Sequence, residues 1–226
     1  MKKVVVLSGA GMSAESGILT FRDMGGVWDH YKIEEVASPI AWQKNPKIVM
    51  DFYNTRRKQL LEVEPNKAHI ALVELEKKYD VEIITQNVDD LHERAGSTNV
   101  LHLHGELRKA RSVKDETIIS EIVGWELKVG DLAEDGEQLR PHIVWFGEDV
   151  PLIDYAAERV NIADILIIIG TSLSVYPAAG LMNCTTSLCK KYYIDPVANQ
   201  QRLENIECLA QKATIGVPKL VGELLK

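Results

Sequence analysis

Short apolar runs alternate along the chain with segments of helical period. Lys3 to Leu7 is a β-branched run that stops at Gly9-Ala10-Gly11, which predicts a buried strand entering a tight loop, with a helix from Ser13 onward. Asn45-Pro46 supplies a capping side chain followed by proline at the first helical position, and Ile48, Phe52, Gln59 and Leu60 carry that helix to about Glu62. Ala68 to Tyr79 reads as a second amphipathic helix with Ile70, Leu72, Val73 and Leu75 inward. Further strands are predicted at Val81 to Thr85, Val100 to Leu103, Asp164 to Ile169 and Lys191 to Ile194, and a short helix at Pro218 to Leu225. Strands alternating with helices predict an α/β fold with a parallel sheet covered on both faces, whose ligands lie at the carboxyl ends of the strands. Each predicted strand ends in a Gly-rich or polar cluster. Glu106 to Arg140 departs from the pattern, being charged and weakly periodic, and reads as an insertion or small module.

Composition narrows the function classes. The 226 residues carry 26 Lys+Arg against 33 Asp+Glu, a net charge of −7 that argues against broad nucleic-acid binding. Aliphatic runs such as Ile165 to Ile169 fall far short of the about 18 residues a membrane helix needs. The apolar stretch after Lys3 ends at Ser8-Gly9, shorter than the core of a secretion signal, so a cytoplasmic protein without membrane contact is expected. Three cysteines, Cys184, Cys189 and Cys208, argue against both a disulfide framework and a four-cysteine zinc site.

Four clusters carry candidate chemistry. Gly9-x-Gly11-x-x-Ala14 between strand and helix suits a pyrophosphate, because glycines allow close backbone approach; the same residues also suit a plain tight turn. No acidic residue closes an immediate second strand, which disfavours a dehydrogenase. Gln86-Asn87-x-Asp89 offers amide and carboxylate groups for a ribose or carboxamide, or a helix cap. In Leu101-His102-Leu103-His104-Gly105, alternation puts both imidazoles on one face. His104, at the strand end, is the better candidate for a general base, the alternative being a packed histidine. Gly170-Thr171-Ser172 suits phosphate or ribose contacts, or again a turn.

Taken in order, the series gains specificity. Gly9-Ala10-Gly11-Met12-Ser13-Ala14-Glu15-Ser16-Gly17-Ile18 with Phe21-Arg22, then Thr85-Gln86-Asn87-Val88-Asp89, His104-Gly105, Val144-Trp145-Phe146-Gly147-Glu148 and Gly170-Thr171-Ser172-Leu173, resembles the sirtuin family of NAD-dependent protein lysine deacylases over nearly the whole chain. The resemblance implies a Rossmann-like, doubly wound large domain (residues 1–30, 65–105 and 141–226). It also implies a small second domain formed by insertions (31–64 and 106–140), with NAD in the cleft between them. It implies that Gly9, Ala10, Gly11, Phe21 and Arg22 line the cofactor loop. Gln86, Asn87 and Asp89 would hold the nicotinamide ribose and carboxamide, and Gly170, Thr171 and Ser172 the phosphates and far ribose. His104, with Asn87, would be catalytic: the acyl oxygen of a modified lysine attacks the ribose carbon as nicotinamide leaves, and His104 then removes a ribose hydroxyl proton. The products would be free lysine, nicotinamide and O-acyl-ADP-ribose. Val144, Trp145, Phe146 and Gly147 would bind an acylated protein or peptide as an added strand.

Two departures from the family pattern matter. Asp195 stands where the family carries Asn; its carboxylate accepts from ribose hydroxyls and repels a 2′-phosphate, so NAD rather than NADP is expected. The family also carries two Cys-x-x-Cys pairs for zinc where Glu106 to Arg140 has no cysteine, so no structural zinc is expected. Packing by Ile118, Ile119, Ile122, Trp125 and Leu127 is expected to hold the module instead, with the three cysteines as buried small apolar groups.

Tyr53 and Arg56, three apart on one helix face, resemble the Tyr-x-x-Arg signature of sirtuins that remove succinyl and malonyl groups. A phenol and a guanidinium together bind a distal carboxylate. The bland alternative is a core tyrosine beside a solvated arginine. Other readings of the same NAD site are plain deacetylation, mono-ADP-ribosyl transfer, and a non-catalytic NAD or ADP-ribose sensor.

Overall fold

The structure is a computed structural model; it describes residues 1–18, 33–200 and 205–226. In chain order the strands are β1 (Lys3–Ser8), β2 (Asp80–Thr85), β3 (Val100–His102), β4 (Gly105–Ser112), β5 (Ile119–Glu121), β6 (Leu139–Ile143), β7 (Ile165–Ile169), β8 (Lys190–Ile194) and β9 (Glu207–Leu209). The helices are α1 (Ile33–Val36), α2 (Pro39–Lys44), α3 (Pro46–Glu62), α4 (Lys67–Leu75), α5 (Leu91–Ala95), α6 (Ile153–Asn161) and α7 (Ala213–Leu224).

Six strands pair in parallel in the order β3-β2-β1-β7-β8-β9. The chain therefore leaves β1 toward one edge and later returns beside it as β7, which puts a topological switch point between these two strands. Strand periodicity divides the core into two layers. Val4, Val6, Ile83 and Ile167 pack under α4 and α7, while Val5, Leu7, Ile84 and Ile168 pack under α6 and the 3-10 segment Ala178–Asn183. This is a Rossmann-like α/β fold. A second, antiparallel sheet, β5-β4-β6, occupies the stretch that broke the sequence pattern. Among the described residues no helix is long and apolar enough to cross a membrane.

Local chemistry accounts for the differences from expectation. In place of a helix from Ser13, Ala10–Met12 and Ala14–Ser16 form 3-10 turns, and Gly17 at φ 99° turns the chain out of them. α4 buries Ala68, His69, Ala71, Leu72 and Leu75, while Ile70 is 52% exposed. His69 turns inward because it completes a capping box: the Asn66 N–H donates to His69 Nδ1, and Asn66 Oδ1 accepts from the Ala68 N–H. α7 starts five residues before the predicted Pro218, because Val217, Leu220 and Val221 pack on the sheet and outweigh the proline.

The small module is fastened by polar groups as well as by packing. Ile122 and Leu127 are buried with Met50 and Ala110, whereas Ile119 and Trp125 are exposed. The fully buried Arg57 on α3 donates from Nε to the Leu107 carbonyl at 2.6 Å, and from Nη1 to the Trp125 carbonyl and to Asn54 Oδ1, both at 2.7 Å. Asn54 in turn donates to the Leu127 carbonyl and accepts from its N–H, each at 2.9 Å. Burial, helped by Arg108, pushes Arg57 down to about 10, so it stays cationic at neutral pH. Among the described residues no cluster of three or more His, Cys, Asp or Glu is placed to hold a metal ion. Cys189 is buried, and Cys184 and Cys208 are half-buried against the α6 layer.

Arg57→Met is expected to lower the unfolding free energy by about 3 kcal/mol, because it strands the Leu107 and Trp125 carbonyls. Urea denaturation measures this, and a loss below about 0.5 kcal/mol would remove Arg57 as the fastening.

Candidate active site

The ends of β1, β2, β7 and β8 are stitched together by backbone hydrogen bonds. The Gly9 N–H donates to Ile169 O at 3.0 Å, Gly11 to Gly170 O at 2.8 Å, Gly170 to Ile194 O at 2.9 Å and Gln86 to Ser8 O at 2.9 Å. At the switch point a Cβ on Gly11 would stand 2.7 Å from the Gly170 Cα, and one on Gly170 would stand 2.4 Å from the Met12 nitrogen. Gly170 also sits at φ 60°. Only glycine lets these two loops touch, and the space they open is part of a cavity of about 840 Å³.

Every described residue expected to serve the cofactor, the substrate or catalysis lines this one cavity. Gly9, Ala10 and Gly11 follow β1; Gln86, Asn87 and Asp89 follow β2; His104 follows β3; Gly170, Thr171 and Ser172 follow β7; Asp195 follows β8. Tyr53 and Arg56 reach it from α3, and Val144, Trp145, Phe146 and Gly147 from the segment after β6. Phe21 and Arg22, expected in the cofactor loop, lie outside the described residues.

Hydrogen bonds set the polar side chains. His104 Nδ1 is 3.0 Å from the Gln86 carbonyl, which fixes the proton on Nδ1 and leaves Nε2 as the acceptor. Burial lowers the His104 pKa, and the Gln86 carbonyl opposes that only in part, so the ring is neutral near pH 7. Gln86 Nε2 donates to Thr171 Oγ1 at 3.2 Å, and Asn87 Nδ2 to Ser13 Oγ at 3.1 Å. Asp89 is buried; burial raises its pKa against hydrogen bonds from Ser13 and the Leu91 N–H. Asp195, 3% exposed, accepts from the Val197 N–H at 3.0 Å.

At the other end of the cavity, burial pushes the Tyr53 phenol up to about 12 against the pull of Arg56. Tyr53 is therefore a neutral donor. The half-buried Arg56 has its pKa lowered by burial, with Tyr53 and Asp89 opposing. The wall beside it depends on residues the motifs did not flag. Arg140 donates to both oxygens of Glu148 at 2.7 and 3.0 Å, and its guanidinium lies 3.4 Å from the Trp145 ring centroid. Glu148 also accepts from the Trp145 N–H at 2.8 Å. Sequence reasoning gave no role at the site to Arg140, to Ser13 or to the Tyr193 hydroxyl that donates to Thr171 O at 2.8 Å.

A model of the Sir2 family matches residues 9–177. The NAD-dependent protein deacylase of Helicobacter pylori is 57% identical over 229 residues, covering 100% of this chain and 97% of that protein. The protein of the same name from Bacteroides thetaiotaomicron is 54% identical over 226 residues, covering 97% of each. A solved complex of a Sir2 homolog with NAD superposes with a TM-score of 0.87 at 39% identity, covering 99% of this chain and 90% of that one.

Acid should destabilise the protein through two histidines beneath the site. Burial holds His69 down to about 4 and His92 well below its ordinary value. Both bind protons more readily when unfolded, so their contribution is whole above pH 6.5 and is lost as pH falls below it. Unfolding free energy, read by urea denaturation at pH 7 and pH 5, is expected to drop by roughly 2 kcal/mol through His69, with His92 acting in the same direction. Unchanged or rising stability at pH 5 would contradict the assignment.

Proposed function

The chain belongs to the Sir2 family and is an NAD-dependent protein deacylase; from that premise we propose that it acts on lysines carrying acidic acyl groups, succinyl or malonyl, in preference to acetyl. The observation that carries this is a guanidinium and a neutral phenol in the same cavity as the proposed base His104. An acidic acyl chain reaching them would exchange water for charge-assisted hydrogen bonds from Arg56 and a donor bond from Tyr53. A plain acetyl group has no distal carboxylate and would make neither of those bonds.

The residues present suit NAD. The glycine contact at the switch point is a cradle that any Cβ would fill, and Asp195 presents a buried carboxylate for ribose hydroxyls. A 2′-phosphate beside that carboxylate would be repelled, which favours NAD over NADP. Bound NAD supplies an electrophilic ribose carbon with nicotinamide as its leaving group. In this reading Gly9, Ala10 and Gly11 with Gly170, Thr171 and Ser172 face the phosphates and adenine-side ribose. Gln86, Asn87 and Asp89 orient the nicotinamide end. His104 accepts a hydroxyl proton at Nε2, since its Nδ1 proton is already committed to Gln86. The N–H groups of Val144, Trp145, Phe146 and Glu148 all donate within the protein, so a bound peptide would pair with the carbonyls of this segment. Residues 31–64 and 106–140 act as the small domain that carries the acyl-recognition helix. The Asn54–Arg57 fastening then stands in for a structural zinc.

Arg56→Met is expected to lower kcat/KM for a succinyl-lysine peptide by about 10²-fold and to leave acetyl-lysine turnover largely unchanged. Equal loss on both peptides, followed by mass spectrometry, would refute the pocket. His104→Ala should lower both activities by at least about 10²-fold. In the parent enzyme the acid limb of kcat/KM should lie below the ordinary histidine value of 6.5, the direction of the His104 shift.

A further inference from the structure

His102, two residues before the proposed base, makes a different pair of contacts. It ends β3, and its Nδ1 lies 3.0 Å from the Asn87 carbonyl, while its Nε2 lies 2.7 Å from Glu93 Oε1 on α5. Both partners only accept. A neutral imidazole carries one N–H and can satisfy one of them; the imidazolium carries two and satisfies both. The imidazole is 7% exposed, so the ring itself meets little water, while its Glu93 partner is 40% exposed. His104 has one such acceptor, His102 has two, and that difference divides the pair into a neutral ring and a charged one.

We propose that the His102 imidazolium, locked by Glu93, is the strut that holds the Asn87 carbonyl and so aims the Asn87 side chain into the cavity, making His102 and Glu93 positioning residues for the deacylation. The proposal rests on the reading that the Gln86-Asn87 loop serves the cofactor. Asn87 is then held at three points: its N–H by Thr85 Oγ1 at 3.0 Å, its amide by Ser13 and its carbonyl by His102. The groups facing His102 are Glu93 and His92 from α5, Asp89 from the loop and Glu106 from β4, with Lys109 bearing on Glu93. Burial pulls the His102 pKa down, but Glu93, the Asn87 carbonyl and Glu106 outweigh it, and the net shift is upward. When the ring loses a proton, the carboxylate keeps the remaining N–H at Nε2 as the stronger acceptor. The Nδ1 lone pair then confronts the Asn87 carbonyl and pushes the loop away. Activity should fall on the alkaline side as His102 deprotonates.

Nitrogen-15 histidine NMR and pH–rate profiles on the full chain test this, with Glu93→Gln, His102→Asn and His102→Phe. At pH 7 His102 in the parent protein should show protons on both ring nitrogens. Glu93→Gln should make it a neutral ring with the proton on Nδ1, because the Gln amide can donate to Nε2. That variant should keep its deacylase activity near neutral pH and lose the alkaline limb. His102→Phe should cut kcat/KM by about tenfold or more, and His102→Asn, whose amide nitrogen takes the place of Nδ1, should recover most of the loss. A neutral His102 in the parent protein, an alkaline limb unmoved by Glu93→Gln, or a fully active His102→Phe would each overturn the strut. If the parent protein removed no acyl group at all, the proposed function would fall, and the NMR spectra alone would decide the charge state.

Discussion

The contact between the loops after β1 and β7 governs the arrangement of everything around it. Gly11 and Gly170 bring two backbones together where the sheet order reverses, and no side chain fits between them. Because both loops are hydrogen-bonded to neighbouring strand ends, the four carboxyl edges form one floor. The polar clusters on that floor could not face a common cavity if either loop were pushed outward by a single methyl group. In an open α/β sheet this is the place where helices diverge and a crevice remains.

α3 joins this floor to the small module. Successive helical residues are turned by about 100°, so Tyr53 and Arg56 face the cavity while Asn54 and Arg57, each one position on, face Leu107, Trp125 and Leu127. The proposed acyl-recognition pair and the attachment of the module thus lie on adjacent stripes of one helix. A buried cation held only by neutral acceptors is an uncommon fastening. It succeeds here because the Leu107 and Trp125 carbonyls accept from it at 2.6 and 2.7 Å, and removing the charge would strand them.

Four histidines lie near or beneath the site, and their charge follows from counting partners. His69 and His92 are stacked edge to face at 4.9 Å in a dry pocket, with His92 Nε2 3.0 Å from Ser8 Oγ, and stay neutral. His104 has one carbonyl and stays neutral with a free acceptor nitrogen; His102 has a carbonyl and a carboxylate, which together push its pKa up against burial. Neighbour geometry, rather than residue type, sets the direction in which each ring's pKa moves.

Much of this was legible in the sequence by itself. The β-branched runs, the Asn45-Pro46 helix start and the polar cluster after each strand determined an α/β sheet with chemistry at its carboxyl edge, since strand period, capping and turn chemistry are local properties. The spacing of Tyr53 and Arg56 put them on one face for the same reason. The tertiary structure alone decided the rest. His69 is buried because it caps α4, Ile70 is exposed in consequence, and Arg57 rather than Trp125 or Ile119 anchors the module. It also separated His102 from His104, which alternation had treated alike. Those outcomes depend on which carbonyls and carboxylates arrive from distant parts of the chain, and a buried polar group takes its role from the partners it meets there.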